Sequence, residues 1–264
     1  MDGEYKNILE TAVMAATEAG RMIFERVDTN KQISHKGAFN NLVTDVDRAS
    51  EKMITDMIRQ RHPEHSILAE EGGEVGADGS SFKWVIDPID GTTNYAHGFP
   101  FFCVSIGVIY GKSVKVGAVY DPCRKELFTA LDKGGAFLNG KKIGVSHISR
   151  MTDALMATGF AYDLSEKSSN VKYFDIMLKK AQAVRRAGSA ALDLCYVACG
   201  RFDGYWEFNL SPWDTAAGQL IVREAGGLVS TLDGKDFDIY DKEILAANTG
   251  IYAEMREVLS SIRA

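Results

Sequence analysis

The sequence predicts a mixed fold of α-helices and β-strands. Three observations carry that prediction: apolar residues recur at helical spacing near the N-terminus and over 51–61, strand-like runs follow one another between turn signals over 104–131, and short strands alternate with helices beyond Arg150.

Ile8, Ala12, Ala16, Ile23 and Val27 fall on one face of a helix, with no basic patch and unbroken apolar run of the kind a signal peptide needs. The polar stretch 31–41, with Gly37, reads as a loop. Leu42 to Asp47 then leads into a helix over Glu51 to Arg61, where Met53, Ile54, Met57 and Ile58 repeat at helical intervals. Ser66 to Ala69 is a short strand ending at Glu70-Glu71, and Gly72 to Ser81 is a glycine-rich, acidic loop. Val104 to Tyr110, Val114 to Tyr120 and Glu126 to Leu131 form an antiparallel meander. A short strand to Gly159 follows, then helices near Tyr173 to Gln182 and over Gly188 to Cys199. A strand near Tyr205, a helix over Asp214 to Ala225 and a last helix from Tyr252 complete the chain. The change of rhythm places a domain boundary near residue 147. No internal repeat interrupts the pattern.

With 264 residues the chain can bury about 70–75% of its unfolded surface, enough for a core without covalent staples. Hydrophobic residues at 45% and charged ones at 25% match soluble globular proteins. A net charge of −6 argues against a basic nucleic-acid footprint or an anionic-membrane patch. Cys103, Cys123, Cys195 and Cys199 show no disulfide framework and no zinc spacing, so they read as free thiols in a reducing cytoplasm. No stretch approaches the roughly 18 apolar residues of a transmembrane helix.

The segment WVIDPIDGTTN, Trp84 to Asn94, sets Asp87 and Asp90 at the end of an apolar run. One account makes Asp87-Pro88 a turn, with Asp90 and Thr92 capping the next helix. The other makes it a strand ending in a metal-binding loop, whose hard carboxylate oxygens suit Mg²⁺ or Mn²⁺. The segment holds no Lys or Arg, so a phosphate ester bound there would need bound cations and the N–H groups of Gly91-Thr92-Thr93. Glu70-Glu71 and Pro212-Trp213-Asp214 would supply the further carboxylates that multi-metal hydrolysis requires; taken singly, Glu70-Glu71 reads as a solvated loop and Asp214 as a helix cap.

Together these residues resemble the inositol monophosphatase family of Mg²⁺-dependent, lithium-sensitive phosphatases. The first family signature stands as WVIDPIDGTTNYAHGFPFFCVSIGV from Trp84 to Val108, and the second as WDTAAGQLIVREAGG from Trp213 to Gly227. Leu42 to Asp47, Ala69-Glu70-Glu71 and Gly188 to Ala191 follow in family order, so the resemblance spans nearly the full chain.

The resemblance implies an αβαβα layered sandwich of the inositol monophosphatase and fructose-1,6-bisphosphatase type. An N-terminal α+β domain (1–147) and a C-terminal α/β domain (148–264) would hold the active site between them, usually in a homodimer. It implies that Glu70, Asp87 and the Ile89 carbonyl bind one Mg²⁺, that Asp87, Asp90 and Asp214 bind a second, and that a third rests on Glu70. Thr92, bonded to Asp47, would orient and help deprotonate the attacking water. The phosphate would meet the N–H groups at Gly91, Thr92 and Thr93, with Lys36 approaching it. Asp90, Gly188, Ser189, Ala190, Glu207 and Asp214 would meet the hydroxyls of a small polyol, with myo-inositol monophosphate the first choice. By their own position just before the Gly188-Ser189-Ala190 turn, Arg185-Arg186 read either as facing a second anionic group or the partner subunit, or as a solvated face, the commoner use of an arginine pair.

Other readings share parts of this pattern. A haloacid-dehalogenase-type phosphatase carries Asp-x-Asp-Gly-Thr, whereas the spacing here is Asp-x-x-Asp, which predicts no aspartyl-phosphate. Fructose-1,6-bisphosphatase, histidinol-phosphatase and adenosine-3′,5′-bisphosphate phosphatase activities use the same metal constellation. Some bacterial family members also partner the transcription machinery, a protein-binding role that an acidic chain permits without direct contact to nucleic acid.

Overall fold

The computed structural model describes residues 2–29, 32–35, 42–76, 79–160 and 170–263. In chain order the elements are α1 (Asp2–Glu25), β1 (Ile33–His35), β2 (Leu42–Thr44), α2 (Asp45–Arg61), β3 (Ser66–Ala69), β4 (Gly73–Val75), β5 (Phe82–Asp90), α3 (Thr92–Ala96), β6 (Cys103–Tyr110), β7 (Ser113–Asp121) and β8 (Glu126–Leu131). They continue with β9 (Gly135–Leu138), β10 (Lys141–Lys142), β11 (Leu155–Thr158), α4 (Asn170–Leu178), β12 (Ala183–Arg185), α5 (Ala190–Ala198), β13 (Gly204–Phe208), α6 (Pro212–Glu224), β14 (Leu228–Ser230), β15 (Glu243–Ala247) and α7 (Tyr252–Arg263).

Among the described residues, β1 and β2 pair alone and the other strands make two larger sheets. One has the order β10-β9-β8-β7-β6-β5-β3-β4, the other β12-β11-β13-β15-β14. The meander is antiparallel throughout, and β3 joins β5 in parallel. Helices α1 and α2 cover one face of the first sheet; α5 and α6 fill the space between its other face and the second sheet; α4 and α7 lie outside the second sheet. The layers therefore run αβαβα. Trp84, Ile86 and Val104 point into the core under α1, while Val85, Cys103 and Val119 point into the central core with α5 and α6. That alternation is the two-residue period of a sheet buried on both faces.

Close approach of α6 depends on glycine. Gly107 and Gly117 are cross-strand partners on β6 and β7. A Cβ on Gly107 would stand 2.7 Å from the Ala216 Cβ, and one on Gly117 would stand 2.9 Å from the Ala217 carbonyl oxygen. The helix can then seat its own small residues, Ala216 and Ala217, directly on the strands. Its first turn, with Asp214, is thereby held over the end of β5.

Several expectations change. The helix expected from Glu51 starts at Asp45, because Thr44 and Asp47 form a capping box that satisfies its first N–H groups. The loop expected over Gly72 to Ser81 contains β4, an edge strand on β3. Asp87-Pro88 is not a turn: β5 runs through to Asp90 with a register shift between Asp87 and Asp90, where proline is tolerated because the ladder is interrupted. The helix near Tyr173 begins earlier, at Asn170, and stops at Leu178.

Candidate functional site

Asp87 and Asp90 sit at the C-terminal end of β5, and the irregularity between them turns both carboxylates to one side. Asp214 arrives from the first turn of α6, where Pro212 opens the helix and Ser211 and Asp214 form its capping box. Carboxylate oxygens of Asp87, Asp90 and Asp214 lie within 4.8 Å of one another. Glu70 follows β3, its N–H donating to the Ile86 carbonyl at 3.2 Å, so it stands beside the same strand end.

Each carboxylate is fixed by its own donors. The Ile89 N–H donates to Asp87 Oδ1 at 3.0 Å and the Ser211 N–H to Asp214 Oδ2 at 2.6 Å. Asp90 lies across the N-terminus of α5, its Oδ2 accepting from Ser189 Oγ at 2.6 Å and the Ala191 N–H at 2.7 Å, its Oδ1 from the Ala190 N–H at 3.3 Å. Gly188, at φ +91°, makes the turn that presents this helix end, and Asn94 Nδ2 clamps it by donating to the Ala187 carbonyl at 2.9 Å.

Neither Asp90 nor Thr92 caps α3, as one sequence account had it. Gly91 occupies that position at φ +96°, a conformation that favours glycine, and the first-turn N–H groups after it have no partner inside the helix. Thr92 Oγ1 shares its proton between Asp47 Oδ1 at 3.1 Å and the Ile89 carbonyl at 3.0 Å. Asp47 Oδ2 in turn accepts from the Thr44 N–H at 2.8 Å and Thr44 Oγ1 at 2.5 Å.

The electrostatics are those of crowded, buried acids. Burial pushes the Asp87 carboxyl well above the usual carboxylate range, and Glu70, Asp90 and Asp214 push it further. Asp214 is held well above that range by burial and then by Asp90. Asp90 is raised by burial despite its hydrogen bonds, and Asp47 by burial despite Thr44 and Thr92. Among the described residues no lysine or arginine forms an ion pair with Asp87, Asp90 or Asp214. A divalent cation is the charge this donor set lacks, and its all-oxygen chemistry fits Mg²⁺ or Mn²⁺.

A cavity of about 290 Å³ opens beside these groups, lined among others by Asp90, Thr93, Arg186, Ser189, Glu207 and Asp214. Its volume suits a small ligand. Glu207 accepts a short hydrogen bond from Tyr205 Oη, and burial pushes its carboxyl up to about 7. A larger groove of about 800 Å³ lies apart, and its Lys115 and Arg223 are already paired with Asp132 and Asp236.

Of the residues expected at the site, Glu70, Asp87, Ile89, Asp90, Gly91, Thr92, Thr93 and Asp214 meet at the junction of β3, β5, α3 and α6, with Asp47 behind them. Gly188, Ser189, Ala190 and Glu207 line the far side of the cavity. Lys36 lies outside the described residues. Arg186 lines the cavity, whereas Arg185 ends β12. Asp193, which the sequence does not single out, lies behind the cavity lining on α5; its two carboxyl oxygens are buried with no hydrogen-bond partner among the described residues, and burial holds its carboxyl well above the usual range. Gly159 was also missed as a cavity residue.

The inositol monophosphatase family model matches residues 4–263. An inositol-1-monophosphatase of Synechocystis sp. is 46% identical over 254 residues, covering 96% of this chain and 88% of the relative. The Nus factor SuhB of Escherichia coli is 43% identical, covering 96% and 97% of the two chains. The solved inositol monophosphatase of Anabaena (Nostoc) sp. superposes with a TM-score of 0.89 at 41% identity, covering 97% of this chain and 96% of that one. With both signatures folded into one acidic junction and the match running end to end, the chain belongs to the inositol monophosphatase family.

Proposed function

We propose that this chain hydrolyses a small phosphorylated polyol, myo-inositol monophosphate first among them, to the free polyol and phosphate. The convergence of the Asp87, Asp90 and Asp214 oxygens within 4.8 Å, next to the Thr92–Asp47 hydrogen bond, carries this reading. The name of the Synechocystis relative points to the same substrate.

In this reading Glu70, Asp87 and the Ile89 carbonyl hold one Mg²⁺, Asp87, Asp90 and Asp214 a second, and Glu70 a weaker third. When bound, such cations neutralise the phosphate, acidify the attacking water and stabilise the departing alkoxide. The protein's own groups do the rest. The N–H groups at Gly91, Thr92 and Thr93 orient the phosphoryl oxygens, with Lys36 proposed as a further phosphate-binding group. The Thr92 hydroxyl aligns the attacking water and passes its proton toward Asp47, whose burial makes it a better base than an exposed aspartate. Asp90, Ser189, Glu207 and Asp214, with the backbone at Gly188 and Ala190, bind the polyol hydroxyls.

The site then lies between two domains, 1–147 and 148–264, in a homodimer. No helix among the described residues is long and apolar enough to cross a membrane. The Nus factor name of the Escherichia coli relative favours a second, protein-binding role; capture of transcription machinery undiminished by Asp87→Asn would support it.

The test is a kinetic panel with Mg²⁺: inositol 1-phosphate, fructose 1,6-bisphosphate, histidinol phosphate and adenosine 3′,5′-bisphosphate. Inositol 1-phosphate is expected to give the highest kcat/KM, with release abolished by chelator. Preference for any other member overturns the substrate assignment, and chelator-insensitive release overturns the metal assignment.

A further inference from the structure

We propose that the absent side chain at Gly159 determines which leaving groups the cavity accepts, because it lets the Glu207 carboxyl group lie back against the main chain and face a hydroxylated ring. This inference rests on the reading that the site hydrolyses polyol phosphates.

The juxtaposition follows from register. Strand β11 ends at Thr158, which is the parallel partner of Trp206 on β13, so residues 159 and 207 are the next pair along. Any side chain at 159 would therefore stand alongside that of Glu207. A Cβ built on Gly159 would in fact collide with both Glu207 carboxyl oxygens, far inside contact distance.

What would yield is decided by the surroundings. Asn170 holds this backbone in place: its Nδ2 donates to Thr158 Oγ1 at 2.7 Å and to the Gly159 carbonyl, and its Oδ1 accepts from Trp206 Nε1 at 2.8 Å. Asn170 and Trp206 are both buried, so the chain at 159 cannot retreat. Among the described residues the Glu207 side chain has one hydrogen bond, at its tip, from Tyr205 Oη, and Arg186 attracts it only through charge. The obstruction to a Cβ is thus the far end of one flexible side chain, and the backbone at Gly159 is outside the left-handed region, so alanine can be accommodated there by the fold. Glu207 must then swing into a cavity of only about 290 Å³, occupying space and aiming its acceptor oxygens away from where ring hydroxyls would sit.

The experiment compares inositol 1-phosphate with n-propyl phosphate, whose leaving group has no further hydroxyls, in wild type, Gly159→Ala, Glu207→Ala and the double variant. Loss of one hydrogen bond to a charged group predicts that Gly159→Ala lowers the preference, the ratio of the two kcat/KM values, about tenfold or more. Glu207→Ala is expected to do the same, and adding Gly159→Ala to it to change nothing further, since the collision is gone. A Gly159→Ala variant that keeps the wild-type preference, that costs as much again in the Glu207→Ala background, or that fails to fold overturns the inference. Wild type showing no preference at all overturns the polyol reading and this inference with it.

Discussion

Gly107 and Gly117 face one another across β6 and β7, and both lie directly beneath the Ala216–Ala217 segment of α6. The consequence reaches the site, because Asp214 is carried on the first turn of that helix. Gly107→Ala is expected to lift α6 from the sheet, costing about 1–3 kcal/mol through overpacking, as read from the denaturant midpoint. Phosphate release should fall by more than stability alone explains, since Asp214 moves with its helix.

Asp90→Asn and Asp214→Asn are expected to leave folded proteins that lose about 100-fold or more of their Mg²⁺-dependent phosphate release, the scale seen when a charge-stabilising group is removed. Calorimetric titration with Mg²⁺ should show the binding loss directly. Retained activity in both variants would refute the metal assignment.

The acidic cluster has an opposite signature in stability. Asp87 and Asp214 have folded-state pKa values raised above those of the unfolded chain, so their contribution to stability is full at pH values below the ordinary carboxylate range and is lost as pH rises from there. Metal-free protein should therefore melt at a lower temperature at neutral pH than wild-type with saturating Mg²⁺, and Asp87→Asn should raise the metal-free Tm while abolishing the Mg²⁺ increment. An Asp87→Asn variant less stable than metal-free wild type would contradict the account.

Thr92→Ala removes the hydroxyl that joins the Ile89 carbonyl to Asp47. A loss of about 10²–10⁴ in kcat with little change in KM is expected for a group acting in proton transfer, and Thr92→Ser should restore most of it. An equal rise in KM would instead place Thr92 in substrate binding.

His62 and His65 stack with ring centroids 4.8 Å apart between α2 and β3. Their nitrogens come near Glu64, but His65 Nδ1 accepts from Trp84 Nε1 at 3.0 Å, which puts its proton on Nε2 and leaves no lone pair for a metal there. Burial lowers both histidines below their ordinary value. The unfolded chain then takes up protons first as pH falls, so stability is lost below about pH 6.5. His65→Gln should flatten the fall in Tm between neutral and mildly acid solution.

The sequence carried the helices and the meander because their periodicity is local. It did not carry β4, β12 or β14, which are three-residue edge strands whose pairing partners decide them. The start of α2 at Asp45 is set by the Thr44–Asp47 capping box, whereas the apolar repeat marks the helix only from Met53 onward. Within the site, Asp87 and Asp90 stood out by their place after an apolar run. Asp214 was visible only as one of several acidic clusters, and the family resemblance gave it its partners, since no local pattern brings a residue from α6 to the end of β5. Gly159 and Glu207 meet through the register of parallel strands, which a linear pattern does not encode.

Asp47 serves two structures with one carboxyl group: one oxygen closes the start of α2 through Thr44, and the other holds the Thr92 hydroxyl. Heat that frays the beginning of α2 therefore loosens the reactive hydroxyl in the same event. Turnover should begin to decline with temperature before the protein as a whole melts, and within α2 the exchange of the Val46 and Asp47 amides should rise over the same range, ahead of the rest of the helix.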